Sequence, residues 1–133
     1  MLSLGKGQRS HSVEKSKRLL IIDESKVIRD VMCNMLTIQG FDVDAAEDGF
    51  IALRLLDENA YDVVLVDMMM PVMTGNELYC QIEEKYPDVT GKVIFLIDDD
   101  TPDFQIRPLF TGINRPVLSK SFIINGLINK SDK

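Results

Sequence analysis

A chain of 133 residues with 45% hydrophobic side chains can bury one self-sufficient core, and no apolar run approaches the roughly 18 residues of a membrane span. Five basic residues against Glu14 make the first eighteen residues +4, leaving −10 of the net −6 for the remainder; such an acidic body is ill suited to neutralising nucleic-acid phosphates. Cys33 and Cys80 fall within helical patterns and read as buried free thiols of a reducing compartment, and no signal-peptide core opens the chain, so a cytoplasmic location is expected.

In chain order, residues 1–16 read as a flexible basic tail rich in Ser and Gly, holding the single histidine, His11, and residues 17–133 as one domain. "RLLIID" is a short aliphatic strand ending on an acid. Ser25 then opens an amphipathic helix with Val27, Ile28, Val31, Met35 and Ile38 as its apolar set, stopped by Gly40. "FDVDAA" alternates as an edge strand does, with Asp42 and Asp44 at the surface, and Asp48 starts a helix carrying Ile51, Ala52, Leu55 and Leu56. "DVVLVD" is apolar without alternation, the pattern of a strand covered on both faces. A helix with Leu78, Ile82 and Tyr86 on one side runs to Pro87. "KVIFLI" is a fourth strand, Pro102 to Phe110 a weaker helix ended near Gly112, "PVLS" a short fifth strand and Ile123 to Ile128 a last helix. Five strand–helix units in strict alternation require right-handed crossovers and a parallel α/β sheet with helices on both faces, a doubly wound three-layer sandwich.

In such sheets the functional crevice lies beyond the carboxyl ends of the strands. Asp23, Glu24 and Asp67 fall at those ends, and carboxylates brought together there repel one another unless a cation joins them. Mg²⁺ suits the set, because it takes oxygen ligands, keeps waters and is held by one or two carboxylates with phosphate oxygens completing its shell. Lys120, directly after "PVLS", is expected to aim its ammonium into the same mouth, and Asp67 can then act as a nucleophile toward a phosphoryl group. Alone, Asp23 is as readily a helix N-cap as a ligand, and Lys120 alone is a surface lysine. Met68, Met69, Met70 and Met73 read as loop packing and adaptable contact surface.

"LLIIDES", "VVLVDMMMPVMTG" and "PVLSKSF", in that order and at these separations, resemble the acid pair, phosphoacceptor strand and lysine segment of the receiver domain of two-component response regulators, especially receivers attached to hybrid sensor kinases. The resemblance implies a flavodoxin-like (βα)5 fold with strand order 2-1-3-4-5. It also implies Mg²⁺ on Asp23, Glu24, Asp67 and the backbone carbonyl of Met69, a phosphoryl group accepted by Asp67 from a kinase histidine, and Lys120 in contact with that group. The implied partner is a histidine kinase or histidine phosphotransfer protein, and a weak homodimer is a separate expectation. No membrane or direct nucleic-acid contact is implied, and the domain is a signalling module rather than an enzyme.

Three positions depart from that pattern. Where the family carries Thr or Ser at the end of the fourth strand, followed by a small residue, this chain has Ile97 and Asp98. No aromatic residue stands in "RPVL", and Ser121 replaces the proline after the lysine, which makes the usual cis bond doubtful there. Phosphorylation is therefore expected to remain feasible while its conformational readout is weak or altered. Two other functions stay open: a pseudo-receiver acting as a phosphorylation-independent protein-interaction module, and a Mg²⁺-dependent phosphatase. The latter lacks its second acid, because Met69 stands where that acid is needed.

Overall fold

The computed structural model describes residues 16–131, with side chains through residue 125. The expected tail therefore lies outside the described residues except for Ser16. Five parallel strands, β1 (Arg18–Ile22), β2 (Asp42–Ala46), β3 (Val63–Asp67), β4 (Val93–Ile97) and β5 (Val117–Ser119), form one sheet in the order β2-β1-β3-β4-β5, as the resemblance implied. Alternate residues of the three central strands feed two cores. Leu20, Ile22, Val64, Val66, Val93 and Phe95 face one side, and Leu19, Ile21, Leu65 and Leu96 face the other. That double burial explains why these strands are continuous apolar runs, whereas edge strand β2 keeps polar residues.

Five helices cover the sheet: α1 (Lys26–Ile38), α2 (Gly49–Glu58), α3 (Gly75–Lys85), α4 (Asp103–Ile106) and α5 (Lys120–Ser131). Ser25, Asp48 and Thr74 cap the first three through side-chain oxygens that accept backbone N–H groups of Ile28, Ile51 and Glu77. Glu77 returns the bond to the Thr74 N–H and closes a capping box.

Four readings change. In α1 the buried row is Met32 and Leu36, while Val27 and Ile38 are 70% and 77% exposed. Two adjacent apolar stripes run along this helix, and only packing against the sheet selects one. The expected fourth helix divides into α4 and a 3-10 turn at Arg107–Phe110, because Pro108 has no N–H for an α-helical bond. Helix α5 begins at Lys120 rather than Ile123, with the Ser119 hydroxyl accepting the Phe122 N–H at 3.0 Å. Cys80 is exposed and Cys33 half-buried, so neither is a fully buried thiol. No peptide bond among the described residues is cis, Lys120–Ser121 included.

The loop from β3 to α3 depends on one close approach. A Cβ on Gly75 would sit 2.7 Å from the Met68 Cα and 2.8 Å from the Asp67 carbonyl oxygen, both backbone atoms. The Gly75 N–H also donates to the Met68 carbonyl at 2.9 Å, so the start of α3 is fastened to the residue after the strand. Gly91 has open space at the same distance. Gly75→Ala is therefore expected to cost about 1–3 kcal/mol of stability by overpacking, and Gly91→Ala to be neutral or slightly stabilising. Urea midpoints at unchanged m-value check both.

Candidate functional site

The carboxyl ends of β1, β3 and β5 deliver Asp23, Asp67 and Lys120 to one point. All three are buried polar residues, at 0%, 3% and 7% exposure, although each carries a charge-bearing group. The Lys120 Nζ lies 2.7 Å from Asp23 Oδ2 and 3.4 Å from Asp67 Oδ2. Each carboxylate is steadied through its other oxygen. Asp23 Oδ1 accepts the Ser25 N–H at 2.9 Å, and Asp67 Oδ1 accepts the Met69 N–H at 3.1 Å.

These contacts set the charge states. Burial pushes the Asp67 carboxyl up to about 7, reinforced by the neighbouring Asp23 charge and opposed by Lys120 and the Met69 N–H. Burial alone would lower Lys120, but its contact with Asp23 and the charges of Asp67, Asp23 and Asp98 outweigh that and raise it. The ammonium is therefore firmly charged.

The donor set fits a hard cation. Asp23 Oδ2 is buried and meets the lysine as an ion pair without an aligned hydrogen bond, so a lone pair remains for a metal. Among the described residues no three acid, His or Cys side chains gather closely enough to hold an ion by themselves. Two carboxylates with water or phosphate oxygens match the habit of Mg²⁺. Glu24, the other expected acid, is exposed and lines a neighbouring cleft with Glu47, Asp48, Met70, Pro71 and Val72. Met68, Met70 and Met73 pack into the core below the loop, whereas Met69 is 37% exposed beside the site.

Two features of the site escaped the sequence. The Arg29 guanidinium reaches back from α1 to the backbone carbonyls of Asp23 and Glu24, at 2.8 and 3.0 Å, and clasps the loop after β1. Nothing in sequence separates this arginine from others on a polar helix face. Asp98, directly after β4, puts its Oδ1 3.6 Å from the Lys120 Nζ and becomes a third carboxylate on that ammonium. Ile97, paired with Ser119 in the sheet, offers an aliphatic side chain where a hydroxyl was expected.

Replacing Lys120 with methionine leaves two buried carboxylates facing each other and is expected to cost about 3–5 kcal/mol, read from denaturant unfolding at neutral pH. A second expectation concerns pH. Because the folded-state value of Asp67 is raised, its contribution is fully present below the ordinary aspartate value near 4 and is lost as pH climbs through about 7. In metal-free protein, stability should fall across that window, and Asp67→Asn should flatten the slope and be more stable than wild type at pH 8, measured by thermal melts in chelator.

Comparisons with known proteins identify the family of the fold. The model of the response regulator receiver domain matches residues 19–131. The response regulator MprA of Mycobacterium sp. (strain KMS) is 29% identical over 111 residues, which are 84% of this chain and 47% of that protein. The transcriptional regulatory protein TrcR of Mycobacterium tuberculosis is 28% identical over 94% of this chain and 48% of its own length. The chain thus spans about half the length of the curated relatives it matches. Among solved structures, the response regulator TrrA of Thermotoga maritima, in complex with Mg²⁺–BeF, superposes with a TM-score of 0.68 at 28% identity, covering 87% of this chain and 96% of that one. The chemotaxis protein CheY4 of Vibrio cholerae shares the fold with a TM-score of 0.72 at 24% identity, over 88% of this chain and 97% of its own. With the receiver model matched from β1 to the end of α5, and two buried aspartates and a lysine joined at the strand tips, the chain belongs to the response regulator receiver domain family.

Proposed function

We propose that the chain accepts a phosphoryl group on Asp67 in two-component signalling, from the histidine of a kinase or of a histidine phosphotransfer protein. The observation that carries this reading is the single ammonium of Lys120, buried and in contact with both Asp23 and Asp67. An Asp67 carboxylate oxygen attacks phosphorus, the new P–O bond forms as the P–N bond to the donor histidine breaks, and the released imidazole takes a proton from solvent. Such a transfer asks the acceptor for alignment and charge neutralisation more than for covalent help. The Met69 N–H holds one Asp67 oxygen at 3.1 Å and so leaves the other as the attacking atom. Lys120, already beside that second oxygen, neutralises the transferred group.

Asp23, Asp67, Glu24 and the Met69 carbonyl are the residues that would hold Mg²⁺, Glu24 being the exposed member of the set. Bound there, Mg²⁺ supplies positive charge that favours the ionised Asp67 and offsets the phosphoryl oxygens. The buried ion pair supports this assignment, since taking charges out of water is costly for a fold to maintain for packing alone.

A pseudo-receiver that no longer takes phosphate is the second reading, favoured by Ile97 and by the Asp98 carboxylate on Lys120. Intact mass spectrometry after incubation with Mg²⁺ and acetyl phosphate separates the two. Wild type is expected to gain about 80 daltons, one phosphoryl group, and Asp67→Ala to gain nothing. No adduct on wild type at any donor concentration would leave the interaction-module reading standing.

A further inference from the structure

We propose that Asp98 is a positioning residue acting through Lys120: its carboxylate holds the ammonium before transfer and is displaced by the incoming phosphoryl oxygens, so that the segment after β4 answers phosphorylation by repulsion. This rests on Asp67 being the acceptor. It supplies a readout that Ile97, having no hydroxyl, lacks.

Lys120 is shared by three carboxylates, and they differ in freedom. Asp23 is fully buried, bonded to the Ser25 N–H, with its backbone carbonyl gripped by Arg29. Asp67 is buried and bonded to the Met69 N–H. The Asp98 side chain is 58% exposed and meets Lys120 at 3.6 Å, the longest of the three contacts. When a phosphoryl group on Asp67 brings further negative charge to the same ammonium, Asp98 is the carboxylate able to leave. It also has somewhere to go. An open cleft of about 420 Å³ lies beside it, lined by Ile28, Asp98, Asp99, Asp100, Lys120, Ser121 and Ile124.

The displacement has a path into the fold. Asp98 follows the last residue of β4, and the next residue, Asp99, accepts a hydrogen bond from the Ser121 hydroxyl at the first turn of α5. The Thr101 N–H donates back to the Asp98 carbonyl at 3.2 Å, just before α4. Moving Asp98 away from Lys120 therefore acts on the turn that leads into α4 and on the Asp99–Ser121 link. Thermodynamic reciprocity adds a second consequence, because if the phosphoryl group expels Asp98, then Asp98 must weaken phosphoryl binding by the same factor.

The test is titration of beryllofluoride with Mg²⁺, a stand-in for the phosphoryl group, followed by amide shifts in wild type, Asp98→Ala, Asp98→Asn and Asp98→Glu. Both neutral variants are expected to bind roughly three- to tenfold more tightly than wild type, with the gap narrowing at high salt. In both, the shifts from Asp98 to Thr101 on binding should collapse while those around Asp67 and Met69 persist, and Asp98→Glu should behave like wild type. Agreement of Asn with Ala shows that lost charge, not lost packing, is responsible. Equal affinity across the four proteins with an undiminished response of the segment overturns the role of Asp98 while leaving Asp67 as acceptor. Failure of every protein to bind beryllofluoride overturns the acceptor reading, and this one with it.

Discussion

One ammonium group organises the carboxyl end of this sheet. Asp23 and Asp67 project from strands that are hydrogen-bonded neighbours, and both carboxylates are buried, an arrangement that is strongly unfavourable for two negative charges. Lys120, carried in from the far edge at the start of α5, lies between them and makes their proximity tolerable. Such a cluster is a poor source of net stability, because its Coulombic gain is spent against desolvation. Its value lies in specificity: three strand ends are fixed relative to one another around a point where charge is balanced by a narrow margin, so a metal ion or a phosphoryl group arriving there changes the balance.

The rest of the fold serves that point through rigid backbone attachments. The loop after β1 is held by the Ser25 cap and by the Arg29 guanidinium on two carbonyls. The loop after β3 is held by the close packing of Gly75 and by the methionines beneath it, which fill irregular space under a backbone that must stay put. Loops tied down in this way can hold side chains within the tolerance that phosphoryl transfer needs. At the opposite end of the sheet, Arg18 bridges Asp42 and Asp44 on β2 and stacks on Tyr61 before β3, closing the edge far from the chemistry. The departures at Ile97 and Asp98 fall on the one strand end where the site meets a short, divided helix.

The sequence by itself determined the parts that repeat a local rule. Apolar runs of strand length alternating with amphipathic stretches dictate a parallel α/β sheet, and acids at the ends of the first and third runs dictate where the chemistry lies. Asp48 as a cap and Gly40 as a stop follow from backbone chemistry that neighbours cannot override, and Gly40 indeed takes a positive φ of 103°. The tertiary structure alone decided what depends on distance across the sheet. Which of two apolar stripes on α1 is buried, that Lys120 opens a helix, that Glu24 faces a side cleft while Asp23 faces the lysine, and that Asp98 rather than any other acid of its run reaches the ammonium are all outcomes of packing. Each involves residues tens of positions apart whose separation in space is fixed by strand order and twist, quantities that no local pattern encodes.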